Sequence, residues 1–340
     1  MHEPAPASPA QRGLWFAQSI TGPSPVFTIG ALVDFAAAPE AGLPDVDRLL
    51  TATRAATGEA DLLASRFADV DGTVTVLPTD PVTVTRRAVG ADTAIDDVAR
   101  HAVSQTIDIT TGPCATVTVL SADHRVAALI VAHHLILDAY GLGLLVRRIG
   151  QLYDDPADPR TLRAAADLPT GFDSPRDGDA AFWAAELDGI DGPLTLGTHA
   201  RSHRVAGAVH TVRTVVPGAG AMTRDPGRLT AAIGGFCGRW ADTDDVVLGF
   251  PMMNRFGSPA ANCVCSVVNV VPLRLALPPH RTLAEIAAAA TARIRTLGPH
   301  ARYRGEDIVR DLRQRGVAGA VGPTVNLKPF SATVAMGGHT

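Results

Sequence analysis

Hydrophobic residues recur with two different periods along the first half of the chain, and these periods predict alternating strands and helices. Period-two alternation and short apolar runs predict strands over 26–35, 73–78, 82–89, 115–120 and 125–134. Only residues 121–124 separate the last two, which is typical of a hairpin. Ser8 and Gln11 form the capping pattern that begins a helix. Apolar residues at helical spacing predict helices over 8–20, 46–67 (interrupted near Gly58), 94–107 and 138–153.

The second half repeats this alternation after a segment rich in Asp, Pro, Arg and Ala. Helices are predicted over 180–187, 228–240, 283–297 and 305–316. Strands are predicted over 210–217, 244–254, 263–277 and 324–330. The pattern predicts an α/β protein with two lobes of similar size. We place the lobes at 1–155 and 179–340, with a linker over 156–178.

Composition and charge narrow the class of protein. The chain has 340 residues, of which 46% are hydrophobic and 19% are charged, as in a soluble globular protein. A net charge of -4 gives no basic field for binding nucleic acid. The longest apolar run is shorter than a membrane helix requires, and the N-terminus lacks the pattern of a secretory signal. We therefore expect a cytoplasmic protein with neither nucleic acid nor membrane among its partners.

The cysteines and histidines form no metal-binding motif. The chain has four cysteines, too few for a disulfide framework in a chain of this size. Cys263 and Cys265 stand on a predicted strand, where alternation points both into the core. His199 and His203 are four residues apart, but their surroundings resemble an exposed turn without a glutamate. We expect no bound metal.

The most informative segment is 131–143, where a buried strand runs directly into two histidines. Strand alternation sends the side chains of His133 and His134 to opposite faces, so they cannot do the same work. One can reach a cavity as a base while the other packs inside. Asp138 stands where a carboxylate caps the following helix. The alternative interpretation is a capping aspartate with two packed histidines.

The segment 133–141, HHLILDAYG, resembles the HHxxxDG signature of condensation domains of nonribosomal peptide synthetases. These domains belong with the chloramphenicol-acetyltransferase-like acyltransferases. Further segments resemble motifs of the family, in its order and spacing, from Ser8 to Phe330. They are 8–18, 59–67, 179–187, 249–257, 265–275, 300–312 and 321–330. The last two resemble siderophore-type condensation domains most.

The resemblance implies two acetyltransferase-like lobes in a V shape, with the motif and a substrate tunnel at their junction. His134 matches the catalytic histidine and His133 the more structural one. Asp138 matches an aspartate that holds the loop through a salt bridge. Asn269 and Asn326 match family asparagines and are candidates for the tunnel wall, with structural side-chain to backbone bonds as the alternative.

The resemblance also implies the substrates and partners. A donor carrier protein presents an acyl or peptidyl thioester on its 4'-phosphopantetheine, and an acceptor carrier protein presents the amine of an aminoacyl thioester. Joining them forms an amide, so the chain is expected to be an acyltransferase with no permanently bound cofactor. The carriers and an adjacent adenylation domain of the same synthetase are the expected partners, and a siderophore is one possible class of product.

Two positions depart from the family pattern near the motif. Ala139 replaces the glycine that usually follows the aspartate, and Gly141 comes two residues later. A methyl group there would disturb the loop if the position required positive φ. Ala64 replaces the arginine that usually pairs with the aspartate. We therefore expect Asp138 to pair with Arg66 or Arg255.

The ends of the chain and its activity allow further expectations. The family usually continues beyond the position of Thr340, so the resemblance implies an incomplete C-terminal lobe. Only seven residues precede Ser8 and the chain begins with Met1, so we expect the donor carrier on a separate polypeptide. Two alternatives stay open: an inactive condensation-like platform that recruits partner proteins, and a variant that forms esters.

Overall fold

The computed structural model describes residues 3–36, 42–90, 94–196, 211–216, 225–327 and Met336. Contacts between Cα atoms divide the chain into two compact units, each discontinuous in sequence. Unit 1 comprises the described residues of Met1–Asp173, Arg255–Val267 and Ala332–Thr340. Unit 2 comprises those of Ser174–Asn254 and Val268–Ser331. The mixed α/β class is confirmed, whereas the lobe boundaries and the linker over 156–178 stay predictions.

Unit 1 contains two sheets and four α-helices. The three-stranded sheet has the order β1-β4-β3 and the four-stranded sheet has the order β2-β7-β6-β5. The strands are β1 (Ala5–Pro6), β2 (Thr28–Ala36), β3 (Ser65–Val70), β4 (Thr73–Pro78), β5 (Val84–Ala88), β6 (Ala115–Ala122) and β7 (Arg125–His133). The helices are α1 (Pro9–Thr21), α2 (Val46–Glu59), α3 (Ile95–Val103) and α4 (Ala139–Asp154).

The central strand β7 explains why the core of unit 1 leads to the histidine motif. It pairs antiparallel with β2 on one side and with β6 on the other, so residues 126–132 are buried on both faces. A strand covered in this way reads as a continuous apolar run rather than an alternating one. The buried run delivers His133 to the end of the sheet, opposite Thr28 of β2.

Unit 2 is built on one antiparallel strand pair and four helices. Its elements are β8 (Asp245–Met252), β9 (Asn269–Ala276), α5 (Asp179–Glu186), α6 (Pro226–Ala241), α7 (Leu283–Leu297) and α8 (Gly305–Gln314). Gly249 of β8 also forms an isolated parallel bridge with Thr324. Its largest buried side chain is Trp183 of α5, whose indole N–H donates to the carbonyl oxygen of His300 at 3.0 Å.

Most predicted elements are confirmed, and the capping box of Ser8 and Gln11 is present at the start of α1. The predicted interruption of α2 at Gly58 is wrong, because the helix continues to Glu59. Buried residues on both sides of Gly58 offset the loss of helix stability that a glycine causes, which is about 1 kcal/mol relative to alanine. The predicted helix over 60–67 is also wrong. That stretch forms a 3-10 turn and then β3, where alternate side chains such as Phe67 are buried.

Four predicted strands differ from the structure. The first begins at Thr28, because residues Pro25–Phe27 form a 3-10 turn. Residues 211–216 form no strand and are exposed, while His210 and Pro217 lie outside the described residues. Within 263–277 only β9 is a strand, since the carbonyl groups before it bind a side chain instead of a neighbouring strand. Within 324–327 only the bridge at Thr324 forms.

Candidate active site

The histidine motif lies in a tight turn between β7 and α4. Leu135, Ile136 and Leu137 are fully buried in the core of unit 1. The backbone N–H of Ile136 donates to the carbonyl oxygen of His133 at 3.1 Å, which closes the turn. Three consecutive apolar side chains therefore anchor the turn and fix the positions of the polar residues before and after it.

His133 is held in one tautomer. Its Nδ1 accepts the backbone N–H of Leu135 at 3.1 Å, so its proton is on Nε2, which lies 2.6 Å from Oε1 of Gln18. The ring stacks on Phe27, with centroids 5.8 Å apart. Burial, together with the nearby His134, lowers the pKa of His133 to about 4. His133 is therefore neutral at physiological pH and has both ring nitrogens bonded.

The hydrogen bonding of the His134 imidazole differs from that of His133. Its backbone N–H donates to the carbonyl oxygen of Phe27 at 2.7 Å, which fixes the main chain. The side chain is half-buried, and its Nδ1 has no hydrogen-bond partner among the described residues. His134 is thus held through its backbone, while its Nδ1 makes no hydrogen bond to the described part of the chain.

Asp138 caps α4 and accepts three hydrogen bonds. One carboxylate oxygen accepts from the backbone N–H of Gly141 at 2.8 Å and from Nη2 of Arg255 at 2.9 Å. The other accepts from the backbone N–H of Val267 at 3.1 Å. A buried carboxylate with these donors stabilises the start of the helix.

Arg255 is the partner of Asp138, which selects one of the two expected arginines. Its Nη1 donates to the carbonyl oxygens of Ala260 and Cys263 at 2.6 and 2.8 Å. Its Nη2 donates to the carbonyl oxygen of Cys265 at 2.7 Å, besides the bond to Asp138. The expectation that Arg66 pairs with Asp138 is wrong. Arg66 lies on β3 and belongs to no ion pair among the described residues.

Ala139, which replaces the usual glycine of the family, causes no backbone strain. Ala139 is the exposed first residue of α4 and is absent from the positive-φ residues of the described chain. The close approach occurs at Gly141 instead. A Cβ there would lie 3.0 Å from the carbonyl oxygen and 3.3 Å from the nitrogen of Cys265. Cys263 and Cys265 are buried as expected, although they lie outside a strand.

Comparisons with known proteins identify the family of this chain. A family model described as "Condensation domain" matches residues 1–202 and 228–334. The chain belongs to the condensation domain family. Condensation domains transfer acyl groups and form amide bonds in nonribosomal peptide synthetases.

Curated relatives are large synthetases. Enterobactin synthase component F of Escherichia coli (strain K12) is 26% identical over 365 residues, which covers 97% of this chain and 27% of that protein. The dimodular nonribosomal peptide synthase of Bacillus subtilis (strain 168) is 24% identical over 94% of this chain and 14% of its own length. The domain thus spans about a seventh to a quarter of these relatives.

Solved condensation domains share the fold. The starter condensation domain of rhizomide synthetase has a TM-score of 0.82 at 23% identity, covering 99% of this chain and 81% of that one. The first condensation domain of the calcium-dependent antibiotic synthetase has a TM-score of 0.80 at 24% identity, covering 99% and 84%. At these identities the likeness concerns the fold alone.

The two candidate tunnel asparagines of the domain differ in their surroundings. Asn269 is buried, and its amide nitrogen donates to the carbonyl oxygens of Ala301 and Tyr303 at 2.8 and 2.7 Å. Its amide oxygen accepts the backbone N–H of Gly305 at 3.0 Å. These bonds match the structural alternative for Asn269. Asn326 is exposed, and its part in substrate binding stays a prediction.

Sequence reasoning missed Gln18 and Phe27, which contact the histidine pair. Gln18 is a buried polar residue seven positions after the buried Gln11, so both stand on one face of α1. A polar residue repeated on the core-facing side of a helix is a signal that it has a buried partner. Phe27 carried no such signal, because its carbonyl group makes the decisive contact.

The described residues contain neither a metal-binding cluster nor a helix that could span a membrane. Among the described residues, no group of three or more His, Cys, Asp or Glu side chains is placed to hold a metal ion. His199 and His203 lie outside those residues. None of the described helices combines the length and the apolar character needed to cross a membrane.

The close packing at Gly141 leads to a prediction with a matched control. Gly141→Ala should have a lower free energy of unfolding than Gly143→Ala by about 1–3 kcal/mol, because its methyl group meets the backbone of Cys265. Gly143 is in the same helix and has open space at its Cβ position. Urea unfolding of both variants measures the difference. Equal stabilities would contradict the packing described here.

Proposed function

We propose that this domain joins an acyl or peptidyl group, delivered as a thioester by a donor carrier protein, to the amine of an aminoacyl thioester on an acceptor carrier protein. His134 acts on the acceptor amine. One observation carries the assignment: His133 and Asp138 have their polar atoms bonded within the protein, whereas Nδ1 of His134 has no partner among the described residues. Asp138 and His133 support the turn without taking part in proton transfer.

The reaction balances with one histidine. The amine nitrogen attacks the thioester carbonyl carbon, so a C–N bond forms and the C–S bond breaks. His134 accepts the proton that the nitrogen loses and returns it to the departing thiolate of the donor's phosphopantetheine arm. Positioned proton transfer of this kind contributes about 10²–10⁴-fold to the rate. Holding both thioesters in one site adds the advantage of proximity.

The partners follow from this chemistry. Both substrates are presented on 4'-phosphopantetheine, so the domain itself needs no resident cofactor. The donor and acceptor are peptidyl carrier proteins, and an adenylation domain of the same synthetase supplies the activated amino acid. Relatives that include siderophore synthetases, such as enterobactin synthase component F, favour a siderophore or related peptide as the product class.

The alternative of an inactive platform domain rested on two departures from the family pattern. Arg255 takes the place of the arginine missing at Ala64, since it pairs with Asp138 at 2.9 Å. Ala139 is exposed at the first position of α4 and does not have a positive φ, so its methyl group causes no backbone strain. Both points support activity. No comparable observation favours ester formation over amide formation.

The proposed function is tested by offering different acceptors to one donor. The full natural polypeptide that contains this domain is mixed with a carrier charged with an acyl thioester. Aminoacyl-loaded, hydroxyacyl-loaded and unloaded acceptor carriers are then supplied in parallel. Intact-protein mass spectrometry should detect transfer to the aminoacyl carrier. Transfer to the hydroxyacyl carrier alone would support the ester-forming variant, and transfer to none would support the platform.

A further inference from the structure

The N-terminal segment of unit 1 contacts both histidines of the motif. Gln18, in the last turn of α1, places Oε1 at 2.6 Å from Nε2 of His133. Phe27, at the end of the following 3-10 turn, stacks on the His133 ring and accepts the backbone N–H of His134 at 2.7 Å. Two side chains and one carbonyl group from this segment therefore define where the histidine pair lies.

The hydrogen bonds around His133 determine which of its ring nitrogens carries the proton. The backbone N–H of Leu135 points at Nδ1, so Nδ1 must be the unprotonated nitrogen and Nε2 must carry the proton. Nε2 then requires an acceptor, which the amide oxygen of Gln18 supplies. Gln18 and His133 are 9% and 1% exposed, so bulk water has little access to replace the lost partner.

We propose that Gln18 is a positioning residue of the condensation reaction, which holds His133 in the Nε2–H tautomer and thereby fixes the turn that presents His134. This inference rests on the proposed function and deepens it. The tautomer of His133 and the shape of the turn are coupled, because His133 accepts two hydrogen bonds from residues of the turn. Its Nδ1 accepts from Leu135, and its carbonyl oxygen accepts from Ile136 at 3.1 Å.

The surroundings of His133 keep it uncharged. Its pKa of about 4 results from burial and from the adjacent His134. Gln18 and Phe27, which pack on it from α1 and the 3-10 turn, carry no charge. The carbonyl oxygen of Cys114, in the segment before β6, accepts the backbone N–H of His133. The Cys114 thiol is uncharged, because burial, aided by Asp108, raises its pKa to about 12. No described neighbour therefore favours the imidazolium form.

Two substitutions and a control test the role of Gln18. Gln18→Leu keeps the volume but removes the acceptor, whereas Gln18→Glu keeps an acceptor and adds a charge. Ser19→Ala changes the next, exposed residue of the same helix. Imidazole nitrogen shifts of ¹⁵N-histidine-labelled protein report the tautomer and pKa of His133, whose signals are assigned from their loss in His133→Asn. kcat and KM for amide formation are measured with loaded carriers.

We expect wild type and Ser19→Ala to show one neutral His133 tautomer and equal kcat. Gln18→Leu should mix the tautomers and lower kcat about 10- to 100-fold with KM unchanged, since a small displacement of a catalytic group has effects of this size. Gln18→Glu should retain the tautomer and raise the pKa of His133 by about 1–3 units, because a carboxylate favours the imidazolium. Its kcat should therefore fall as the pH is lowered, relative to wild type.

A folded Gln18→Leu variant with wild-type tautomer and kcat would overturn the proposal. If that variant does not fold, an unchanged pKa of His133 in Gln18→Glu would overturn it instead. Failure of the proposed function gives a separate result, in which wild type forms no amide. In that case a mixed tautomer in Gln18→Leu still assigns Gln18 to holding the histidine pair, and an unchanged one rejects it.

Discussion

Replacing His134 by alanine is expected to lower kcat for amide formation by about 10²- to 10⁴-fold, because the amine loses its proton acceptor. KM for the loaded carriers should stay close to the wild-type value, since the proposed role of His134 concerns the reacting amine and not the binding of a carrier. The His134 ring has no hydrogen bond to the described part of the chain through Nδ1, so its loss should leave the fold intact. Steady-state kinetics and thermal unfolding measure both effects.

His124→Ala is the matched control for this variant. His124 is exposed at the turn of the β6–β7 hairpin, at the opposite end of β7 from the motif. It should retain the wild-type kcat. A folded His134→Ala variant with more than about a tenth of the wild-type kcat would place the proton acceptor elsewhere.

Arg255→Met is expected to lower the free energy of unfolding by about 3–5 kcal/mol, which is the cost of leaving one member of a buried ion pair alone. The side chains of Arg255 and Asp138 are 2% and 4% exposed, so water cannot solvate the remaining carboxylate. The variant also loses the bonds to three backbone carbonyl groups. Urea unfolding at neutral pH measures the change.

Arg86→Met provides the control for loss of an arginine from an ion pair. Arg86 pairs with Asp47 at the surface, where both side chains are largely exposed, so its loss should leave the free energy of unfolding nearly unchanged. Adding Asp138→Asn to Arg255→Met should recover part of the lost stability, because the isolated charge is removed. Equal effects of Arg255→Met and Arg86→Met would contradict the role assigned to the buried pair.

The local features of the site could be predicted from the sequence. A continuous apolar run indicated β7, and the capping position of Asp138 indicated the start of α4. Alternation predicted that His133 and His134 differ in their surroundings, and one is bonded at both nitrogens while the other is not. The strand, the helix start and the opposite directions of the two histidine side chains depend on neighbours within a few residues, so periodicity and capping rules describe them well.

Long-range contacts could be predicted only in part. The missing arginine at Ala64 indicated that Asp138 needs another partner, but Arg66 and Arg255 were equally compatible with the sequence. The choice depends on the backbone around Cys263 and Cys265, whose carbonyl groups surround the guanidinium. The apolar pattern there predicted a strand, because periodicity records burial and not where carbonyl groups bond. Gln18 was missed for a similar reason, as its partner is 115 residues away.

The most direct test of the account is a single-turnover experiment that records both carriers at once. Wild type and His134→Ala are each mixed with acyl-loaded donor and aminoacyl-loaded acceptor, and intact masses are read at successive times. With wild type, we predict that the acceptor gains the acyl mass as the donor returns to its free thiol. With His134→Ala, the transfer should be about 10²- to 10⁴-fold slower. Equal transfer rates in the two proteins, or donor loss to water with no gain on the acceptor, would contradict the account.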